Sequence, residues 1–504
     1  MLKYLKILLV AWLIILCFIG MFLFESIDTL IRLFPLNNFE AVLFTLTHDV
    51  GGTKKFMWVL LEPCLKPAVI SFVEGLFLIV SVAILFSFIR LKKDHANLQA
   101  IIKNSSRPIA ICVGAFCLVV WISAFLKFPL LSYAESCEAF LDNRPIYNML
   151  YEKDYIHPDS IHIKFEKKKN LILIISESME SNFQKIERKK QIENLVPEIT
   201  ELAKTNISFA PGGITVEGTG WTMSESVAKT CGIPLQEPIG YKQKDFYLRN
   251  VVCLTDILHR NGYEIKFSQG TDISFASMDL FLLSHGIKKE NIYDLQYFEN
   301  KGIPFSDPFF LKSIKDSDLY EEAKHIISDL EKQYTPWAFW FFTIDTHGPY
   351  GRIDSNCIEI PQHIERKQQY PFALRCASKL IKDFIEWAKM QEWFENTTIV
   401  FLGDHPAMID PMAFGFPQKE VEHYWVNFFV NSEIVSVPSR DRHFTSFDMF
   451  PTILEAMGVK IEGRALGLGR SLFSEERTLI EKYGKDSLDV LIKKKGKIHN
   501  SFWN

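Results

Sequence analysis

Apolar residues are distributed along this chain in two regimes. In the first quarter they form long uncharged runs, at 7–24, at 75–89 (extendable back to 67) and at 108–126. Runs of about 18 residues or more match a bilayer core roughly 30 Å thick, so these three predict membrane-spanning helices. No small-x-small cleavage site follows the first run, so it is read as an anchor and not as a removable signal. The zone 36–61 is apolar too, but Glu40, His48, Asp49, Lys54 and Lys55 interrupt it. It reads as interfacial helices or as a further span. Arg90, Lys92, Lys93, Lys103 and Arg107 crowd the loop after the second run. Such loops stay cytoplasmic, which with three spans leaves everything after residue 126 outside.

Beyond 126 the rhythm changes. A charged, Tyr-rich connector runs to about 169, followed by the block LILII at 171–175. A short continuous apolar block is the mark of a strand buried on both faces. Similar blocks recur at 337–344, 399–402 and 426–430, with helical patterns between them at 198–206, 223–230, 256–261, 372–390 and 447–457. Strands alternating with helices predict an α/β fold with a mainly parallel sheet. The expected organisation is a membrane region at 1–128, a linker at 129–165, a catalytic domain at 166–475 and a charged tail at 476–504.

Composition changes this picture little. Mean hydropathy is only +0.06 although 13% of residues are aromatic, so the apolar excess is local. Net charge is −4, which gives no basic surplus for nucleic acid. Cys64, Cys137, Cys231, Cys253, Cys357 and Cys376 fall outside the membrane runs, where disulfides persist. By proximity Cys231 pairs with Cys253 and Cys357 with Cys376; free thiols are the alternative.

The chemistry gathers at the ends of the apolar blocks. In open α/β sheets functional groups collect beyond the carboxyl ends of strands. Glu177 follows the first block, and Asp404 and His405 follow the block at 399–402, with Gly403 allowing a tight turn. Two carboxylates and an imidazole suit one divalent cation, Mn²⁺ or Zn²⁺. The stretch GTGWT at 218–222 places the Thr222 hydroxyl where a glycine-rich turn enters a helix. A helix N-terminus favours an anion there, which fits a nucleophile; the plainer reading makes Thr219 or Thr222 a helix cap. His347 follows a strand and precedes a turn, as a phosphate contact or proton donor would, or as an ordinary loop histidine would. His423 and His443 are further candidates.

Five segments carry a resemblance: NLILIISESME at 170–180, GTGWTMSESVAKTCGIPL at 218–235, SQGTDISFASMDLFLLSHGI at 268–287, TIDTHGPYG at 343–351 and FLGDHPAM at 401–408. Together they resemble the phosphoglycerol transferases of osmoregulated periplasmic glucans, within the alkaline phosphatase/sulfatase superfamily. Lipoteichoic acid synthases and lipid A phosphoethanolamine transferases are more distant relatives. The resemblance covers about residues 165–475. It implies that Glu177, Thr222, Asp404 and His405 hold one metal ion. It implies that Thr222 attacks a phospholipid donor, phosphatidylglycerol, and passes phosphoglycerol to a glycan or lipid-linked acceptor. It implies that His347, Gln269, Asp272 and Trp221 lie around the substrate, and that the enzyme sits in the bacterial inner membrane with its catalytic domain outside. The chain lacks the C/S-x-P-x-R signature of sulfate ester hydrolases. Pro406 and Lys229-Thr230 also depart from the pattern, leaving acceptor and donor head group open. Phosphoethanolamine transfer and a non-catalytic membrane sensor are the alternatives.

Overall fold

The structure is a computed structural model and describes residues 12, 15–24, 68–75, 106–127, 149–188, 191–238, 246–306, 312–348, 350–361, 363–407, 422–494 and 496–503. The chain divides into two compact units.

In the N-terminal unit, residues 15–24, 68–75 and Ser106–Lys127 are helical. Cys17, Met21 and Cys117 are buried together, with Phe72, Phe116 and Val120 against them. Gly75 lets the Phe116 ring approach; a Cβ there would lie 2.7 Å from it. The other faces are apolar and open: Trp12, Val73, Leu118 and Val119 are 58–62% exposed. No helix among the described residues is long and apolar enough to cross a membrane. The spans expected at 7–24 and 75–89 lie partly outside the described residues, and the zone 36–61 lies wholly outside them.

The second unit is built on a six-stranded sheet. In chain order its strands are β1 (Asn170–Ser176), β2 (Glu264–Gln269), β3 (Ile292–Tyr293), β4 (Trp337–Phe342), β5 (Thr397–Gly403) and β6 (Asn427–Val430). Their spatial order is β6-β5-β1-β4-β2-β3. Every pairing is parallel except β6 against β5. The register aligns Leu173 with Trp340 and Val400, so side chains alternate in step across the centre of the sheet.

One face carries Leu171, Leu173, Ile175, Trp340, Phe342, Val400 and Leu402. The other carries Ile172, Ile174, Phe339, Phe341, Ile399 and Phe401. Burial on both sides explains why β1, β4 and β5 read as continuous apolar blocks. Among the helices of the described residues that cover the sheet are α1 (Pro197–Thr205), α2 (Thr222–Cys231), α3 (Leu254–Arg260), α4 (Asp316–Glu331), α5 (Tyr370–Lys389) and α6 (Met449–Ala456). α2, α3 and α6 share the core of the Leu173 face; α1, α4 and α5 share that of the Ile172 face. The result is a three-layer α/β sandwich, as expected. β2 and α4 were not among the expected elements. In β2, Glu264 and Lys266 interrupt the apolar run, because this strand lies one place from the sheet edge and Lys266 lays its stem towards the Tyr293 ring, 5.4 Å away.

The packed unit extends on both sides of 166–475. Leu150 and Tyr151 share the Leu173-face core with Leu479, Ile480, Leu488, Ile492 and Phe502. Ile163–Phe165 pairs antiparallel with Val459–Ile461. The Asp154 carboxylate accepts from Lys482 Nζ and Tyr483 Oη, both at 2.7 Å. Cys231–Cys253 and Cys357–Cys376 are disulfide-bonded, in the pairing expected from proximity.

Candidate functional site

β1 and β5 are neighbours whose register ends on Ser176 opposite Gly403. The residues that follow each strand therefore emerge side by side at the carboxyl edge of the sheet. Glu177, Asp404 and His405 meet there, with one donor atom from each within 4.8 Å of the others. All three are under 5% exposed. Gly403 is required for close approach: a Cβ would lie 2.1 Å from the Met179 carbonyl oxygen.

Backbone groups hold the acids in place. Asp404 Oδ1 accepts from the amides of Ser178 and His405, each at 2.6 Å. The Ser178 hydroxyl donates to Glu177 Oε1 at 2.6 Å. Ser178 takes a left-handed conformation, φ 52°, an uncommon backbone state for serine that aims both its donors inward. The Thr343 hydroxyl accepts from the Glu177 amide, and the Thr346 hydroxyl donates to the Glu177 carbonyl. The loop carrying His347 is thus tied to the acidic cluster.

Thr222 is the first residue of α2. Its Oγ1 lies 3.4 Å from Asp404 Oδ2 and 3.5 Å from His405 Nε2. It does not serve as a cap: the Ser224 hydroxyl accepts from the Trp221 amide, and the Thr219 hydroxyl closes the preceding turn onto Val216. Every residue of α2 from Met223 to Cys231 is buried, while Thr222 is only partly buried. The nucleophile candidate is therefore the accessible end of a buried helix.

The donor set fits a divalent cation. His405 Nδ1 faces the Pro406 carbonyl at 2.9 Å, so the Nδ1–H tautomer turns the Nε2 lone pair towards the carboxylates. His405 Nε2 lies 3.2 Å from Asp404 Oδ2 and 3.9 Å from Glu177 Oε1. Burial, then the neighbouring Glu177 charge, pushes the Asp404 carboxyl up to about 7. Burial pulls the His405 imidazole down, but Asp404 and Glu177 outweigh it and its pKa lies above the ordinary value. An Asp404 carboxyl raised by burial beside a second buried carboxylate is short of positive charge, which a cation held by Glu177, Asp404, His405 and Thr222 would supply. A second cluster, Cys253, Asp256 and His285, also has donor atoms close together. It offers no thiolate, because Cys253 is bonded to Cys231.

The remaining expected residues are held by contacts of their own. His347 is half-buried, its Nδ1 2.8 Å from the Gly348 carbonyl. Gln269 ends β2 at the same sheet edge and donates to the Asp272 carbonyl at 3.0 Å. The Asp272 carboxylate accepts from the Ser274 amide and hydroxyl, so it shapes its own turn. Trp221 precedes Thr222 and is half-buried. His443 donates its amide to Glu481 and accepts from Thr478 through its carbonyl, in the C-terminal packing.

Three sets of contacts were not read from the sequence. Lys229 is fully buried two turns along α2 from Thr222. It pairs with Glu225, donates to the Asp404 carbonyl at 2.6 Å and lies 4.4 Å from the Trp425 ring centroid. Its signal was spacing alone: it falls four residues after Glu225 and seven after Thr222, on the same side of α2. Glu180 is buried and hydrogen-bonded to His423 at 2.6 Å. Asp316, Asp345 and Arg352 brace the His347 loop. Asp316 accepts from the Ile344 and Asp345 amides at 2.8 and 2.9 Å, and Arg352 Nε donates to Asp345 at 2.6 Å.

The chain is similar to known proteins. Over 376 residues the chain is 26% identical to phosphoglycerol transferase I of Xanthomonas campestris pathovar campestris, covering 72% of this chain and 50% of that one. Over 320 residues it is 31% identical to phosphoglycerol transferase I of Escherichia fergusonii, covering 61% and 39%. The chain thus spans half or less of the length of these curated relatives. Among solved structures, an alkaline phosphatase superfamily protein from Vibrio parahaemolyticus superposes with a TM-score of 0.51 at 21% identity, over 67% of this chain and 81% of that one, a likeness of fold. The sulfatase family model matches residues 169–459. This span holds every member of the cluster and more than half of the chain, which belongs to the sulfatase family.

Proposed function

We propose that the protein transfers a phosphoglycerol group from phosphatidylglycerol to a hydroxyl of a glycan acceptor, through a covalent intermediate on Thr222. The observation that carries this reading is the position of the Thr222 hydroxyl. It opens a buried helix, is itself only partly buried, and lies within 3.5 Å of both Asp404 and His405. The similarity to phosphoglycerol transferase I supports the choice of donor.

In the first half-reaction Thr222 Oγ1 attacks phosphorus and the P–O bond to diacylglycerol breaks. The proton lost by threonine is balanced by the one gained by the departing oxygen, and in this scheme His347 delivers it. A divalent cation bound by Glu177, Asp404, His405 and Thr222 would lower the pKa of the hydroxyl and offset charge on the phosphoryl oxygens. In the second half-reaction an acceptor hydroxyl attacks the same phosphorus and threonine leaves. Gln269, Asp272 and Trp221 line the approach and orient the head group.

The same proposal places the domain outside the bacterial inner membrane, on an N-terminal multi-pass anchor. The long apolar runs and the outward-facing Trp12, Val73, Leu118 and Val119 support the anchor, and the two disulfides support an oxidising compartment. A diacyl donor stays in the leaflet, so tethering raises its effective concentration at the site. Mass spectrometry of the full chain after exposure to phosphatidylglycerol vesicles tests the chemistry. A glycerophosphoryl adduct on Thr222, absent from Thr222→Ala, is expected. An adduct only with phosphatidylethanolamine would replace the donor, and no adduct with either would overturn the covalent route.

A further inference from the structure

Beside the cluster lies a carboxylate–imidazole pair that the scheme above does not use. Glu180 is 2% exposed, three residues beyond Glu177. Its Oε1 accepts from the Ala407 amide at 2.6 Å, two residues beyond His405. Its Oε2 accepts from His423 Nδ1, also at 2.6 Å. Both carboxylate oxygens are therefore engaged, one by the segment that carries the histidine ligand candidate and one by His423.

The backbone fixes this placement. Glu180 bridges antiparallel to Trp425, and the Val426 amide donates to the Met179 carbonyl. Asn182 clamps the same segment, donating to the Glu422 carbonyl at 2.9 Å and accepting from the Tyr424 amide at 3.2 Å. The His423 side chain is nevertheless 48% exposed. With Nδ1–H bound to Glu180, the Nε2 lone pair is the free end of an oriented imidazole. A buried carboxylate that orients a half-exposed imidazole and stabilises its protonated form is a device for taking up a proton. The hydrogen bond to Glu180 raises the His423 pKa, against the opposing pull of burial. The other carboxylate on this segment, Glu422, is engaged by the Tyr424 hydroxyl.

We infer that His423, oriented by Glu180, is the general base of the second half-reaction. Its Nε2 takes the proton of the acceptor hydroxyl as that oxygen attacks the phosphorus carried by Thr222. The new P–O bond joins phosphorus to the acceptor, the P–O bond to Thr222 breaks, and the proton held by His423 is returned to restore the threonine hydroxyl. The inference rests on the threonine intermediate proposed above. It divides the two proton transfers between two histidines on opposite sides of β1: His347 for the departing lipid oxygen, His423 for the incoming acceptor.

The test follows the Thr222 adduct in the full-length protein, loaded from phosphatidylglycerol vesicles. Its decay is then timed with and without a glucose oligosaccharide, water being the acceptor in the second case. His423→Gln is expected to load at the wild-type rate but to lose the adduct about 100-fold more slowly. Glu180→Gln should move the rising limb of the pH–decay profile to lower pH. Thermal unfolding of both variants controls for the fold. If His423→Gln decays at the wild-type rate with an unchanged pH profile, the assignment of His423 is overturned while the threonine reading stands. If the wild-type protein forms no adduct, the threonine reading fails and takes this inference with it.

Discussion

Replacing Lys229 by Met gives a measurable consequence of the site's buried electrostatics. The Lys229 and Glu225 side chains are each 1% exposed. The ammonium donates to Glu225 and to the Asp404 carbonyl, over the Trp425 ring. Burial alone pulls the lysine pKa below its ordinary value, with Glu225 and Asp404 opposing. Lys229→Met leaves Glu225 with the Ser446 hydroxyl but no cation. Breaking such a pair from one side costs about 3–5 kcal/mol. At about 2 cal/mol/K per residue over the roughly 350 residues of the unit, unfolding entropy is about 0.7 kcal/mol/K, so Tm should fall by about 4–7 °C. Removing both charges, in Lys229→Met/Glu225→Leu, should recover most of that loss, short of about 1 kcal/mol for the unpaired Asp404 carbonyl. Thermal unfolding of the full chain in detergent, followed by tryptophan fluorescence, gives all three values. A single variant as stable as wild type, or a double variant no better than the single, would refute the account of a mutually dependent pair.

Thr222→Ala should abolish turnover with Tm unchanged within error, and a retained turnover would remove the nucleophile. Chelation should stop transfer and lower Tm, and Mn²⁺ or Zn²⁺ should restore both; a Tm indifferent to chelator and metal would count against a cation at Glu177, Asp404 and His405. Asp448 caps the turn before α6, and burial pushes its carboxyl from 3.8 up to about 6. A raised acid pKa means that the folded state holds the proton more tightly. Its stabilisation, about 3 kcal/mol, is complete below about pH 4 and is lost as pH rises through about 6. The difference in unfolding free energy between wild type and Asp448→Asn should therefore change across that window and be flat above it. Replacing both Cys231 and Cys253 by Ala opens a link with a sequence separation of 22 and should cost about 3 kcal/mol, seen as a lower Tm whose remaining response to reducing agent comes from Cys357–Cys376 alone.

The legible parts of this chain are those where one physical demand dominates. β1, β4 and β5 are buried on both faces, so their composition announced them. Glu177 and Asp404-His405 were visible because parallel strands deliver their next residues to one edge. β2 was hidden because Glu264 and Lys266 break its run, and its burial depends on neighbours far off in sequence. The residues after 475 read as a charged tail because Leu479, Ile480, Leu488, Ile492 and Phe502 are spaced among lysines and acids. Only the presence of Leu150 and Tyr151 opposite makes them core. Lys229 was noticed as a departure from a family pattern, but its partners are tertiary: Asp404 comes from β5 and Trp425 precedes β6.

These tertiary contacts bear on catalysis through α2. A reacting hydroxyl must be held within about 0.5 Å of its working position, and a helix can slide or rock unless it is tied along its length. α2 is tied at three levels. At its start Ser224 and Thr219 hold the turn that presents Thr222. Two turns on, Lys229 binds the carbonyl of Asp404, so the helix of Thr222 is fastened to the backbone of the acid that faces Thr222. At its end Cys231 is linked to the residue preceding α3, and Gly232, at φ 70°, lets the Leu466 carbonyl approach where a Cβ would meet it at 2.9 Å. These ties couple α2 to the residue that follows β5 and so oppose any change in the separation between Thr222 and Asp404. Loss of the middle tie should accordingly slow adduct formation more than it weakens donor binding, since Lys229 touches no substrate and sets only a distance.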